Sequence, residues 1–298
     1  MIYESKILNV TLRKPKIHLI SDVVYSQVPT FEIPNKALLM DILLPSVNKK
    51  MPAVIFVTGG GFIASNKSRM IQLRMHLAEN NFVVASITYR TIPTGKFPAP
   101  LEDVKSAIRF LKANAQNFNV DSDKIFLIGD SAGGYLAAFA AVTNGDKIFN
   151  VGSNLNISSK ITAAVDLYGI SDLTKIASDF PANMQAAYNL PGAISSLLVN
   201  GVPAFTGTGG GILQYPANAN AANPINYVTK NSAPMLLMHG TADNIVSPSQ
   251  TDLLFQALRT NGVDAERYVI PNENHSDDYW QQDEVLQLIT EFLKRHLN

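Results

Sequence analysis

The 298-residue sequence has no cysteine and a single tryptophan, and its 24 lysine and arginine residues are matched by 24 aspartate and glutamate residues. The missing thiol excludes disulfides, thiolate catalysis and cysteine metal sites together. It leaves the compartment open, because a chain of this length buries enough surface to stand without such staples. Balanced charge without a long run of either sign gives no field to steer nucleic acid or an anionic membrane surface, and neither is expected as a partner. No stretch reaches about 18 uninterrupted apolar residues, so no membrane insertion is expected either. The N-terminal MIYESKILNVTLRKPKIHLI lacks the apolar segment and small-residue cleavage site of a secretory signal. A cytoplasmic location is therefore expected, with secretion left open if a signal peptide has been removed. A small, locally neutral partner fits this composition best.

What is present is a succession of short apolar runs. HLISDVVY (18–25) and ALLMDILLP (37–45) read as an antiparallel opening of a sheet, with turn-rich sequence between them. AVIFVTG (53–59), FVVASITY (82–89), KIFLIGD (124–130), AAVDLYG (163–169), PMLLMHG (234–240) and ERYVI (266–270) have the length of buried strands. Helical spacing separates them, clearest in LEDVKSAIRFLKANA (101–115), where Leu101, Val104, Ile108 and Leu111 recur at three or four residues. The signal returns in VLQLITEFLKRHL (285–297), whose Leu288 and Phe292 would cover a sheet face. Alternating strands and helices predict an α/β fold with a mostly parallel sheet covered on both faces, because parallel strands need long crossovers. Residues 1–298 are expected to form one domain. From about 172 to 228 the alternation breaks into a stretch rich in Pro, Gly, Ala and Asn, too long for an ordinary connection, which predicts a small cap or lid. Its Phe180, Met184, Leu190, Ile194, Leu197, Leu198 and Phe205 would pack it down or line an entrance, and GTGGG (207–211) would serve as a flexible joint.

The stretch FLIGDSAGGYLAAFAA (126–141) sets Ser131 among glycines where an apolar strand meets an alanine-rich helix. Gly129-Asp130-Ser131-Ala132-Gly133 fits the G-x-S-x-G elbow, in which glycines avoid clashes at a sharp reversal and the serine is pushed above the sheet edge. The helix beginning near Ala132 offers unpaired N–H groups where charge develops on an attacked carbonyl. A serine hydroxyl also needs a base that titrates near neutrality and a group to orient that base. Of five histidines, His275 in PNENHSDDYW (271–280) is placed best, in a polar loop between the last strand and the last helix. His239 ends a buried strand and is expected to hold a local turn, while His18, His76 and His296 lie in a strand, a helix and the terminal helix. Asp243 in MHGTADNIVSPSQ (238–250) is the expected orienting acid; Glu273, Asp277 and Asp278 are rivals that would need a tight loop to reach the far ring nitrogen. The order Ser131, Asp243, His275 is that of hydrolases built on this elbow. VTGGGFIAS (57–65) offers the amides of Gly60 or Gly61 to join that of Ala132 around an oxyanion. A phosphate-cradling role for these glycines is disfavoured, since neither GxxxxGK[ST] nor GxGxxG occurs.

Thr58-Gly59-Gly60-Gly61-Phe62, Gly129-Asp130-Ser131-Ala132-Gly133-Gly134, His239-Gly240-Thr241-Ala242-Asp243 with Val246, and His275 together resemble the α/β-hydrolase superfamily. More narrowly they resemble its esterase/lipase branch, which includes hormone-sensitive-lipase-like carboxylesterases and bacterial acetyl-xylan and feruloyl esterases. The resemblance runs from about residue 35 to the C-terminus. It implies an α/β-hydrolase fold and a serine carboxylesterase with Ser131, His275 and Asp243 as the triad and Gly60, Gly61 and Ala132 at the oxyanion hole. It also implies a small ester as substrate, of short acyl or small aryl type or an acetylated or feruloylated sugar, and no cofactor or metal. A serine peptidase of the same fold and a noncatalytic binding protein are the rival readings. The stretch 85–111 is similar to that branch as well, with Tyr89, Arg90 and Asp103 expected to brace loops. Two positions depart from the pattern, Thr58 in place of a histidine and Ser276 in place of a frequent glycine. Trp280 is expected to anchor the last helix in preference to stacking on substrate. The apolar helix faces leave both a monomer and a homodimer open.

Overall fold

A computed structural model describes residues 5–31 and 33–297, so the first four residues of the N-terminal stretch, Glu32 and Asn298 lie outside the described residues. The chain forms the strands β1 (Ile17–Val28), β2 (Lys36–Pro45), β3 (Met51–Val57), β4 (Val83–Ile87), β5 (Val120–Asp130), β6 (Ala163–Leu167), β7 (Met235–Gly240) and β8 (Ala265–Ile270). They make one sheet in the order β1-β2-β4-β3-β5-β6-β7-β8. β2 pairs antiparallel with both β1 and β4, and every other pairing is parallel. This is the α/β-hydrolase fold.

The helices are α1 (Ile71–Glu79), α2 (Ala99–Ala113), α3 (Ala132–Val142), α4 (Ala182–Tyr188), α5 (Ile194–Asn200), α6 (Pro216–Ala221), α7 (Ser249–Thr260) and α8 (Asp283–Arg295). Strand side chains alternate between two apolar cores. Ala53, Ile55 and Val57 of β3 join α2, α3 and α7 on one face, whereas Val54 and Phe56 join α1 and α8 on the other. The periodic Leu101, Val104, Ile108 and Leu111 are all buried, and so is Phe292, while Leu288 packs at the border of its core. Among the described residues no helix is long and apolar enough to cross a membrane.

The register sets the position of everything that follows. Val57 pairs with Gly129, Asp130 with Leu167, and Gly240 with Ile270, so β3, β5, β6, β7 and β8 end along one edge. After β3 the chain steps to β4 and then returns across β3 to β5. Ligand crevices in open α/β sheets form at such a switch point, outside the carboxyl ends of the strands.

The stretch 172–228 contains no strand; α4, α5, α6 and four short 3-10 turns occupy it. Leu198 is fully buried in the core, Phe180 and Ile194 pack against it, and Leu190 is exposed. GTGGG is not a free joint. Asn200 ties it, its carbonyl accepting from the amides of Thr208 and Gly209 and its side-chain amide donating to the carbonyls of Gly210 and Gly211.

Asp166 of β6 is a buried carboxyl whose Oδ1 accepts from the Gly169 amide at 2.8 Å. Burial pushes its pKa up to about 7, and the Gly169 amide offsets only part of that. Between about pH 4 and pH 7 the folded chain therefore holds a proton that the unfolded chain has released, and stability falls as the pH rises through that window. We expect Asp166→Asn to remove this slope. Urea unfolding at pH 5 and pH 7.5 should show wild type losing up to roughly 3 kcal/mol relative to the variant; parallel losses would show that Asp166 is already ionised when folded.

Candidate active site

β5 ends at Asp130 and α3 begins at Ala132, leaving Ser131 alone at the corner with φ 53° and ψ −119°. A side chain at positive φ is strained, and packing on both sides must hold it. A Cβ on Gly129 would strike the carbonyl of Gly133, and one on Gly133 would strike the carbonyl of Val57. Those two glycines let the first turn of α3 lie directly on the ends of β5 and β3. The Ser131 amide donates to the Leu167 carbonyl at 2.8 Å and its own carbonyl accepts from Tyr135 at 3.0 Å, which fixes the corner from both neighbours. The glycines surround the serine because backbone meets backbone there.

His275 follows β8 and Asp243 follows β7, and both reach this corner. His275 Nε2 lies 2.8 Å from Ser131 Oγ, and His275 Nδ1 lies 2.7 Å from Asp243 Oδ2. A carboxylate only accepts, so Nδ1 carries the proton and Nε2 is left to accept from the serine hydroxyl. Asp243 Oδ1 accepts from the amides of Ile245 and Val246, both at 2.9 Å. Its Oδ2 also faces Nε2 of the buried His239 at 3.1 Å. Burial alone would raise this carboxyl, but the hydrogen bonds from His239 and His275, the electrostatic pull of the adjoining His275 ring and the Val246 amide outweigh it and hold the group well below the usual carboxylate range. Behind His239, Thr251 Oγ1 lies 3.1 Å from Nδ1 and accepts from Arg267 Nε at 3.1 Å. His239 does bind a turn, through the Val246 carbonyl at 3.0 Å, and it grips the acid as well. None of the rival acids Glu273, Asp277 and Asp278 hydrogen-bonds to His275 among the described residues. His18, His76 and His296 make no contact with this cluster; His296 packs on Phe292 and bonds to Asp264.

The glycine loop after β3 closes the third side. Gly60 and Gly61 have φ of 134° and 58°, and a Cβ on Gly60 would strike the carbonyl of Ala64. The amides of Gly60, Gly61 and Ala132 donate to no acceptor among the described residues, while Gly59 donates to Asp130 Oδ1 at 2.7 Å. Where a histidine is usual, Thr58 leaves its hydroxyl buried and unpartnered. The brace passes to Tyr89, whose hydroxyl donates to the Thr58 carbonyl at 2.8 Å. Arg90 grips Asp103 through Nε and Nη2, with its closest contact at 2.7 Å, and so holds the next loop to α2.

Three residues in this region, Arg69, Asn274 and Tyr168, were not legible in the sequence as parts of the site. Arg69 Nη2 bonds to Asp130 Oδ2 at 3.0 Å and to Ser276 Oγ at 2.9 Å, which joins the elbow to the histidine loop. Ser276 has φ 64°, a backbone state that explains why glycine is frequent there, and its hydroxyl is held by Arg69. Asn274 Oδ1 accepts from the amides of His275 and Asn244, tying the His275 loop to the Asp243 loop. Beneath His275, the Tyr168 ring lies 4.7 Å from that of His275 and 4.5 Å from that of Trp280. Trp280 is fully buried and donates to the Asn274 carbonyl at 3.1 Å, so it supports the loop from below and is closed to ligand.

Ser131 opens into a cavity of about 330 Å³ whose walls include Gly61, Ala132, Tyr188, Ile194 and Val246. The lining is mostly apolar, and α4 and α5 supply one wall through Tyr188 and Ile194. The Tyr188 hydroxyl donates to the Ile245 carbonyl at 2.8 Å, latching this wall to the loop that carries Asp243.

Residues 40–258 match the sequence model of the BD-FAE family. In sequence, the esterase LipQ of Mycobacterium tuberculosis is 29% identical over 232 residues, which is 77% of this chain and 51% of that protein. This chain spans about half the length of the relatives it matches in this way. Among solved structures, a truncated carbohydrate esterase from gut microbiota superposes with a TM-score of 0.81 at 26% identity, covering 96% of this chain and 98% of that one. A bifunctional GH43-CE protein of Bacteroides eggerthii gives a TM-score of 0.77 at 28% identity, over 94% of this chain and 38% of that one.

The backbone contact at the elbow makes one direct forecast. Gly133→Ala places a methyl group against the Val57 carbonyl, with no flexible side chain to yield, and should destabilise the fold by about 3 kcal/mol or more. A melting temperature within a degree of wild type would show that α3 can withdraw from β3.

Proposed function

The chain belongs to the BD-FAE family, and from that premise we propose that it is a serine carboxylic ester hydrolase working through an acyl-enzyme. The observation that carries this reading is the unbroken line from Ser131 Oγ through His275 to Asp243, at 2.8 and 2.7 Å. Ser131 attacks the ester carbonyl while its proton passes to His275 Nε2. Asp243, anionic throughout the neutral range, holds the ring by Nδ1–H and stabilises the imidazolium. The alkoxide of the tetrahedral intermediate is bound by the free amides of Gly60, Gly61 and Ala132, of which each donor is worth about 3 kcal/mol in comparable sites. His275 then gives its proton to the departing alcohol. In the second half it takes a proton from water, which attacks the acyl carbon and releases Ser131. Every proton lost by the nucleophile is returned to a leaving group.

The substrate class follows from the cavity. A mostly apolar pocket of about 330 Å³ admits an acetyl or other short acyl group, or a small aryl group, and offers no charged side chain to a carboxylate or amine. The matched esterase LipQ and the carbohydrate esterase from gut microbiota support ester over amide and a sugar-borne ester, and the acetylated or feruloylated sugars implied by the sequence resemblance fall within that class. Residues 172–228 act in this reading as a cap on a single hydrolase domain, with the Tyr188 latch holding it over the pocket.

Hydrolysis of p-nitrophenyl acetate tests the assignment. Ser131→Ala should lower kcat by at least about a thousandfold with the fold unchanged by circular dichroism. Equal rates in the two proteins would sink the hydrolytic reading and leave a binding protein on a hydrolase scaffold, and a strong preference for short peptide amides would replace the esterase with a peptidase.

A further inference from the structure

A second groove, of about 530 Å³, opens on the same edge of the sheet as Ser131. β2 runs antiparallel to both β1 and β4, so β1 points the same way as β4 and its end at Val28 opens on the carboxyl edge. Three segments meet there: residues 29–31 after β1, residues 93–99 after β4, and residues 201–206 after α5. Phe31 and Phe205 face each other across the junction with ring centroids 4.6 Å apart, 58% and 37% exposed. Two large aromatic side chains left half in water are costly unless something covers them. Around them stand Thr30, Thr94, Thr206, Lys96 and Glu102, the carboxylate of Glu102 accepting from Arg90 Nη2 at 3.0 Å. Thr206 sits at φ 65°, a left-handed state adopted beside the ring-bearing residue.

The groove and the reaction pocket have no lining residue in common, but adjoining residues link them. Phe62 lines the pocket and its carbonyl accepts from the Ile92 amide at 2.8 Å; the next residue, Pro93, lines the groove. α5 begins with Ile194 and Ser195 in the pocket and ends beside Gly201 in the groove, so seven helical residues, about 10 Å of rise, separate the two. An occupant of both would have a small acyl group at Ser131 and a longer alcohol part reaching past Phe62. Aromatic faces ringed by hydroxyls and an ammonium suit a ligand whose rings have an apolar face and a polar rim. A purely apolar ligand would leave that rim unpaired.

We propose that this groove is a subsite for a neutral oligosaccharide that carries the ester, its sugar rings lying on Phe31 and Phe205 and its hydroxyls paired with Lys96 and the threonines. The proposal rests on the reading of Ser131 as the nucleophile of an ester hydrolase.

Steady-state kinetics of Phe31→Leu, Phe205→Leu and Phe205→Trp, each on acetylated xylo-oligosaccharide and on p-nitrophenyl acetate, test it. Leucine keeps the apolar packing and removes the aromatic face. Both leucine variants should raise KM for the oligosaccharide by about fivefold, a loss of the size measured for single aromatic contacts, while kcat/KM for p-nitrophenyl acetate stays within about twofold and Phe205→Trp restores KM. Equal loss on both substrates with a lowered melting temperature would make the aromatic pair a clasp between the cap and the β1 loop and overturn the proposal. With methyl ferulate as a third substrate, a KM change confined to it would replace the sugar with an aryl ligand and overturn the proposal. Absence of wild-type turnover on the oligosaccharide, with p-nitrophenyl acetate still cleaved, would also overturn it and leave the ester hydrolase reading intact, whereas an undiminished Ser131→Ala would remove that reading itself.

Discussion

Ser131 can stand above the sheet only because α3 starts in backbone contact with β3 and β5, and that contact exists only because residues 129 and 133 have no side chain. A serine at φ 53° is not a conformation that local preference would choose. The strain is held by the surrounding fold. α3 is buried along its entire length, Gly134 extends the close approach to Asp166 of β6, and the Ser131 amide is tied to Leu167. The serine is thereby fixed before any ligand arrives, which is the condition under which a hydroxyl and two or three amides can act on one carbonyl.

Electrostatics are organised around two buried carboxylates with opposite outcomes. Asp243 is surrounded by donors, two imidazoles and two amides, and stays ionised despite burial. Asp130 points back beneath the glycine loop after β3, where burial raises its carboxyl and Arg69 and the Gly59 amide offset part of that cost. The second residue of the elbow therefore has a task of its own. It holds Gly59 in place, so that the amides of Gly60 and Gly61 stay free, and through Arg69 it reaches Ser276 in the loop that carries His275. One guanidinium connects the Ser131 elbow, the glycine loop after β3 and the His275 loop.

Much of this was legible in the sequence, for physical reasons that also mark where legibility ends. Short apolar runs located all eight strands: β3, β4, β6 and β7 are buried nearly throughout, and the edge strands β1 and β8 were readable by their apolar content although their burial does not alternate. Boundaries moved where pairing overrides composition. The polar VDSD at residues 120–123 belongs to β5, since Met51 pairs with Val120 across an irregular register. Ser131, His275 and Asp243 were readable as candidates because each lies just past a strand end, and strand ends converge on one edge. Arg69 gave no such signal. It lies 61 residues from Asp130 and 207 from Ser276, on a segment with no motif, and only the assembled fold brings its guanidinium to both. The stretch 172–228 was visible only as an interruption. It is rich in Pro, Gly, Ala and Asn, and which of its apolar residues face the pocket depends on the Tyr188 latch and the Asn200 ties.

We infer that His275 makes Ser131 a nucleophile. Intact-mass and peptide mass spectrometry after exposure to an arylphosphonate ester measures this without reference to any natural substrate. The account predicts a single covalent adduct on the peptide containing Ser131, formed at least about a hundredfold more slowly in His275→Gln. Labelling of another residue, or labelling of Ser131 at an unchanged rate in that variant, would contradict it.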